Sequence, residues 1–199
     1  MVEEEPKLAP PGAGLSLVPH LLLNYWLYPR SMAKFSWQRS LEKLQRETAR
    51  IAALAAPLTE EQFYKRVLIK PLWGIEDSSR FWSVGMTIEH LVIVMRNMAA
   101  VVESLSRGVV PDAAADVAKV KPHKDIAPSK EARLAEFQKT MEDAVALLAP
   151  LEGKAPPDKK YRHPFLGPIP AEGWVWSLCS HQGLHRLQAE RIIEGLNLK

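Results

Sequence analysis

Two histidines lie four residues apart near the end of the chain, His181 and His185 in the segment SHQGLHRLQAERII. On an α-helix this spacing places both imidazoles on one face, about 40° apart around the axis and about 6 Å apart along it. Imidazole nitrogen is a common protein ligand of zinc and other late first-row metal ions. The pair therefore indicates a metal site, although a core histidine followed by a surface histidine has the same spacing.

The residue after the first histidine limits the chemistry of such a site. Metalloproteases with this histidine spacing carry a glutamate there as the general base, whereas this chain has Gln182. Because an amide takes up no proton at neutral pH, we do not expect peptide hydrolysis of that type. A catalytic zinc ion commonly has three protein ligands and one open position, so a third ligand must come from elsewhere in the chain.

Four further histidines are candidates for that third ligand. His90 is the only one inside a strongly apolar helical pattern, on a flank that can face the last helix of a bundle. His20 lies in an apolar N-terminal segment and His123 in a polar linker. His163 precedes a proline, which favours extended backbone, and we expect it in a loop or at the entrance of a site rather than as a ligand. Glu89 projects about 100° away from His90 on an ideal helix, which favours a solvated position or an interhelical salt bridge.

Four amphipathic helices are predicted to position these residues. Serine caps, prolines and the ends of the apolar patterns bound them as Ser36 to Pro57, Ser83 to Ser106, Ser129 to Pro150, and Ala171 to the C-terminus. The apolar seams of the second and fourth helices advance in alternating steps of four and three, which is typical of helix bundles. His181 and His185 occupy core positions of the last seam. Gln188 follows them, either as a group that orients a ligand or as a satisfied core amide.

The predicted fold is an all-α four-helix bundle, because no convincing alternating strand pattern is present. We expect residues 35–199 to form this bundle and residues 1–34 to be an N-terminal extension. The extension consists of a flexible tail to about residue 14 and an apolar arm, which is too short for a membrane span and is expected to lie on the bundle or on a partner subunit. One helical turn is predicted after Thr59, and the long connections between the first three helices allow a crossover.

Composition excludes several functional classes. The 26 basic and 23 acidic side chains give a net charge of only +3, and the main basic cluster, at 153–163, lies among prolines, so nucleic-acid binding is not expected. The single cysteine, Cys179, excludes an intramolecular disulfide and a cysteine-cluster metal site, and we expect it to be a small buried hydrophobe. The acidic N-terminus does not match a secretory signal. These features favour a cytoplasmic protein without a membrane anchor.

Two segments together resemble a known family. The segment LTEEQFYKR to FWSVGMTIEHL at 58–91 and the segment HPFLGPIPAEGWVWSLCSHQGLHRLQAERI at 163–192 resemble the DinB-like (YfiT-like) metalloenzyme superfamily, especially members of the DinB_2 and DUF1569 kind. The resemblance covers roughly residues 36–196 and leaves the N-terminal arm unexplained. It implies a four-helix bundle, often dimeric, in which three histidines bind nickel, zinc or another divalent ion. Carried over by position, these ligands are His90, His181 and His185.

The resemblance does not fix the reaction, because one fold hosts many functions. It implies a divalent-metal enzyme acting on a small molecule, with transfer to or from a low-molecular-weight thiol cosubstrate as the preferred version. A metal-dependent hydrolase, or a non-catalytic homodimeric bundle with structural histidines, is the alternative. Trp82, Trp174 and Trp176 either line an apolar pocket near the ion or fill the core.

Overall fold

Seven α-helices and four short β-strands make up the part of the chain that the computed structural model describes, residues 5–122 and 128–197. The helices are α1 (Leu17–Leu22), α2 (Tyr28–Met32), α3 (Trp37–Ala55), α4 (Glu60–Tyr64), α5 (Val84–Ser106), α6 (Lys130–Leu148) and α7 (Ala171–Gly195). The strands are β1 (Val67–Leu68), β2 (Phe81–Trp82), β3 (Tyr161–His163) and β4 (Gly167–Ile169). The long helices α3, α5, α6 and α7 form the predicted four-helix bundle, which confirms the all-α fold class.

Three of the four long helices begin at the predicted serine caps. The side chains of Ser36, Ser83 and Ser129 each accept a hydrogen bond from the backbone N–H three residues later. The predicted helical turn after Thr59 is α4, which has a complete capping box with Gln62. Such caps stabilise a helix start by satisfying backbone donors that have no partner within the helix.

The core of the bundle is formed by the apolar seams of the four long helices. The seam residues that are buried are Trp37, Leu41, Leu44 and Ile51 of α3, Val84, Ile88, Leu91, Met95, Val102 and Leu105 of α5, Phe137, Met141 and Leu148 of α6, and Trp174, Leu178 and Ile192 of α7. Half-buried seam positions such as Met98 and Leu134 pack at the margin of the same core. The two central methionine positions of α5 are therefore packing residues.

The bundle contains two crossover connections. α5 packs against α6 and α7, and α3 packs against the same two helices, so α3 and α5 occupy opposite corners. The connection from α3 to α5 therefore crosses the bundle, as the sequence allowed. The connection from α6 to α7 also crosses, whereas α5 and α6 are neighbours. This arrangement places α5 beside α7, the two helices that carry the predicted metal ligands.

Two short antiparallel ribbons accompany the all-α bundle, although no convincing strand pattern is present in the sequence. β1 pairs antiparallel with β2, and β3 pairs antiparallel with β4, with His163 opposite Gly167. Strands of two or three residues are too short to show the alternation by which a strand is recognised in sequence. Each ribbon lies in a connection that crosses the bundle.

The N-terminal arm is helical rather than irregular. A π-helical stretch, Leu23–Leu27, joins α1 to α2, and the Asn24 amide donates a hydrogen bond to the carbonyl of Phe165 at 2.9 Å. The segment before the arm is also attached, since the backbone N–H groups of Ala9 and Gly14 donate to the carboxylates of Asp77 and Glu76. The described part of the segment that we expected to be a flexible tail is thus hydrogen-bonded to the loop at Glu76 and Asp77.

Among the described residues, α5 alone is long and apolar enough to cross a membrane by length and composition. Most of its apolar seam is buried within the bundle, as in the core helix of a globular bundle. This helix therefore gives no evidence for a membrane span.

Candidate metal centre

The three predicted ligands meet between α5 and α7. The Nε2 atom of His181 lies 3.3 Å from Nε2 of His90 and 3.2 Å from Nε2 of His185. One ligand atom from each imidazole lies within 4.8 Å of the other two. His90 and His185 are buried and His181 is half-buried. The crossover that makes α5 and α7 neighbours thus brings together residues that are 91 positions apart in the chain.

Hydrogen bonds on the outer side of two imidazoles fix their tautomers. Nδ1 of His90 lies 2.6 Å from the carbonyl oxygen of Val120, and Nδ1 of His185 lies 2.6 Å from Oε1 of Gln188. Because a carbonyl oxygen can only accept, each Nδ1 carries the proton and each Nε2 keeps a free lone pair. The Gln188 amide donates in turn to the Ser79 carbonyl at 2.7 Å. Gln188 is therefore both a fully hydrogen-bonded core amide and the group that orients a candidate ligand.

The imidazoles are held in the neutral form that a metal requires. Burial lowers the pKa of His90 to about 4. Burial and the neighbouring histidines hold the pKa values of His181 and His185 well below the usual value. The Nδ1 atom of His181 is buried and has no hydrogen-bond partner among the described residues. Three uncharged imidazoles with converging nitrogens are a donor set suited to a divalent cation.

The separations of the nitrogen atoms also fit such an ion. Zinc–nitrogen bonds of about 2.0–2.1 Å at tetrahedral angles separate two ligand nitrogens by about 3.3 Å. The two measured separations, 3.3 and 3.2 Å, agree with this value. Without a cation, the free lone pairs of His90 and His185 would both face the same nitrogen of His181. The residues present therefore fit a divalent metal bound by three histidines.

A partly buried ion pair supports the ligand on α5. Lys121 donates to the carboxylate of Glu76 at 3.0 Å and also bonds the hydroxyl groups of Ser78 and Ser79. Lys121 directly follows Val120, whose carbonyl holds His90. Sequence analysis missed this support, because nothing in the local pattern relates two loop segments that are 45 residues apart.

The triad lies in the wall of a cavity of about 450 Å³. Its other lining residues are mainly apolar and include Leu23, Val94, Met98, Val101, Phe165, Leu166, Trp174, Trp176 and Leu184. Trp82 does not line the cavity: it is buried and stacks on His185 with ring centroids 6.1 Å apart. Trp174 and Trp176 thus form part of the wall, whereas Trp82 packs behind the triad.

His163, which we expected in a loop or at the entrance of a site, lies on a short strand and lines the cavity. It belongs to β3 and is buried, and its Nε2 atom lies 2.9 Å from the hydroxyl of Ser177 on α7. Burial lowers the pKa of His163 to about 4. It is not part of the group of three convergent histidines. Its partner Ser177 could not be recognised from the sequence pattern.

The remaining candidates lie away from the metal centre. His20 is exposed in the arm, and His123 lies outside the described residues. Glu89 forms a salt bridge with Arg133 of α6 at 3.4 Å, which confirms the predicted interhelical role. Cys179 is buried, and burial raises the pKa of its thiol to about 12. This makes it a packing residue and not a nucleophile.

Comparison with known proteins agrees with this architecture. The DinB_2 family model, described as the DinB superfamily, matches residues 31–189. The chain belongs to the DinB superfamily. The match ends before the last turn of α7 and includes all three histidines of the metal centre. It begins after α1, so most of the N-terminal arm is outside the family match, although Leu15 and Leu23 of this region line the cavity.

Two further comparisons add little beyond the DinB family. A crystal structure of TT2238, a four-helix bundle protein, is similar to this chain with 20% sequence identity and a TM-score of 0.49, over 78% of this chain and 98% of that one. The comparison with curated proteins found no match.

Proposed function

We propose that this DinB-superfamily protein is a divalent-metal-dependent enzyme that acts on a small, largely apolar molecule. The observation that carries the proposal is the convergence of the Nε2 atoms of His90, His181 and His185 in the wall of an apolar cavity. A zinc or nickel ion is the expected metal. Transfer involving a low-molecular-weight thiol is our preferred reaction, on the basis of the family resemblance, and hydrolysis is the alternative.

The protein's own residues have two roles in this proposal. The histidines would hold the ion without neutralising its charge, since all three are uncharged. Bound there, a divalent ion supplies positive charge that acidifies a thiol or a water molecule and makes it nucleophilic. The apolar cavity wall excludes bulk water and so strengthens electrostatic interactions within it. Gln182 cannot act as a base. A thiol or water molecule that the ion acidifies does not strictly require one.

Metal content tests the proposal first. The protein is purified without a histidine tag, incubated with zinc or nickel and then freed of excess ion. We expect about one equivalent of metal in the wild type and a large loss in His90→Ala and His181→Ala. His20→Ala is the matched control, because His20 is exposed and lies outside the site, and it should retain the metal. Wild-type protein that binds no metal would remove the physical basis of the proposal.

An activity screen then separates the two reactions. Metal-loaded protein is incubated with apolar electrophiles in the presence and absence of low-molecular-weight thiols. Product that forms only with a thiol supports the transferase. Product that forms equally well without any thiol supports the hydrolase and contradicts the transferase.

We propose further that the protein is a homodimer that uses the N-terminal arm. Exposed apolar side chains cluster there: Leu17, Val18, Leu21, Leu22, Tyr25 and Trp26. A contiguous exposed apolar surface of this kind is typical of an interface. The single buried cysteine is in keeping with a cytoplasmic location, which we also propose.

The arm gives a second testable prediction. Deleting residues 1–34 should shift the mass measured by light scattering from dimer toward monomer, because the deletion removes the apolar surface. The double variant Leu17→Ser, Tyr25→Ser keeps the arm but makes two exposed positions polar, and it should weaken association without unfolding the bundle. An unchanged mass for both variants would contradict an arm-mediated dimer.

A further inference from the structure

The cavity wall also contains two buried polar side chains outside the metal centre, His163 of β3 and Ser177 of α7. Both residues are at most 7% exposed, and both line the cavity that contains the metal centre. Their side chains form a hydrogen bond of 2.9 Å. Neither residue belongs to the three-histidine group, and the roles proposed above use neither of them.

The direction of this hydrogen bond follows from the other nitrogen of His163. The backbone N–H of Phe165 donates to Nδ1 of His163 at 3.1 Å, so Nδ1 carries no proton. A neutral imidazole has one proton, which must then be on Nε2. Nε2–H therefore donates to the hydroxyl oxygen of Ser177. His163 is in the tautomer opposite to that of His90 and His185, whose protons are on Nδ1.

This direction leaves the hydroxyl proton of Ser177 without an acceptor. Two helical hydroxyl groups elsewhere, the buried one of Thr87 and the half-buried one of Ser106, donate to the carbonyl four residues earlier, whereas the buried hydroxyl of Thr48 has no partner among the described residues. No such bond is present for Ser177, and its only hydrogen-bond partner among the described residues is His163. A buried hydroxyl that accepts a hydrogen bond is also a stronger donor, because hydrogen bonds in a chain polarise one another.

The position of Ser177 relative to the metal centre is set by α7. Ser177 and His181 are four residues apart, which places them on one face of the helix about 6 Å apart along its axis. The wall between and around them is mainly apolar. A molecule that contacts both points therefore needs one group for the metal and one hydrogen-bond acceptor about one helical turn away.

We propose that Ser177, held in position by His163, is the hydrogen-bond donor that binds a carbonyl oxygen of the small-molecule substrate. This inference rests on the proposed function, since the metal centre defines where the reacting group lies. The substrate is then an apolar molecule with a carbonyl group. The tautomer of His163 excludes the other obvious role for the pair, because an imidazole that donates to serine cannot take the serine's proton as a base.

The tautomer can be tested without metal or ligand. Nitrogen-15 NMR of protein labelled in histidine distinguishes a protonated ring nitrogen from an unprotonated one. We expect a proton on Nε2 of His163 at neutral pH, with the signal assigned by its loss in His163→Gln. A proton on Nδ1 would overturn the proposal, because Ser177 would then donate to His163 and would have no proton for a ligand.

Ligand binding provides the second test, with cobalt-loaded protein and two thiols of equal size. N-acetylcysteamine has a carbonyl group, and 1-hexanethiol has none. Both are titrated while the absorption of the cobalt–thiolate pair is followed. Ser177→Ala should weaken the binding of N-acetylcysteamine about five- to tenfold, as expected for the loss of one hydrogen bond. It should leave the affinity for 1-hexanethiol unchanged. Ser106→Ala is the matched control outside the cavity and should affect neither thiol.

The outcomes separate this inference from the proposed function. Equal losses of affinity for both thiols in Ser177→Ala, or no loss for either, would overturn the role of Ser177. Such results would not contradict the proposed metal centre. Failure of the wild type to bind cobalt would overturn the proposed function, and the inference with it. Metal content is therefore measured for each variant before the titration.

Discussion

The two fully buried glutamines of α7 differ in their hydrogen bonding. Gln188 bonds at both ends, accepting from Nδ1 of His185 and donating to the carbonyl of Ser79. Gln182, six residues earlier, has no hydrogen-bond partner for either its oxygen or its nitrogen among the described residues. Both side chains are 0% exposed. The difference in hydrogen bonding is therefore due to the neighbouring groups and not to the extent of burial.

The surroundings differ because the two glutamines lie on different faces of α7. Gln182 is three residues after Cys179 and four before Arg186, and both of these contact α3 through Ser40 and Glu47. Cys179, Gln182 and Arg186 thus mark the packing face of α7, which lies in the bundle interior. Gln188 lies on the metal face of α7, which is directed toward α5 and the loop at Ser79. Gln188 on the metal face is thus fully hydrogen-bonded, whereas Gln182 on the packing face has an uncompensated desolvation cost.

The largest expected effect of this difference is on metal affinity. Gln188→Leu removes the acceptor that fixes the tautomer and orientation of His185, and changes of this kind typically weaken metal binding about 10- to 100-fold. Competition with a coloured chelator measures the effect. Gln182→Leu is the matched control, since it makes the same change at an equally buried position of the same helix. Equal affinities for the two variants would contradict an orienting role for Gln188.

The metal face should also dominate the response of the metal-free protein to acid. Burial lowers the pKa values of His90 and His163 to about 4 and holds those of His181 and His185 well below the usual value. Between the ordinary histidine pKa of about 6.5 and these values, the unfolded chain binds protons that the folded chain does not. The free energy of unfolding should therefore fall as the pH is lowered below about 6.5.

Urea unfolding of metal-free protein at pH 7.5 and pH 5 measures this loss. His163→Gln removes one of the four groups and should lose less stability between the two pH values than the wild type. Gln182→Leu, which changes no titrating group, should lose as much as the wild type. A loss in His163→Gln as large as that of the wild type would show that His163 is not buried in neutral form.

The same comparison explains what the sequence could reveal. The helix bounds followed from local signals, such as the serine caps and the seam steps, and the seam placed His181, His185 and Gln188 at core positions. The partners of His90 and Gln188 could not be predicted, because they are the backbone carbonyls of Val120 and Ser79, which carry no side-chain signal. Ser177 was missed for a related reason, since its partner lies on a three-residue strand that shows no alternation.

The smallest expected effect is on the packing face, where Gln182→Leu should make the protein more stable. A buried amide without partners loses its hydrogen bonds to water on folding, whereas leucine of similar size has none to lose. We expect a gain of about 1–2 kcal/mol, measured as a higher urea midpoint with an unchanged slope. Gln188→Leu should instead be destabilised, because it leaves His185 and Ser79 without their partner. A loss of stability in Gln182→Leu would mean that this amide has a partner in solution, and the two faces of α7 would then be alike.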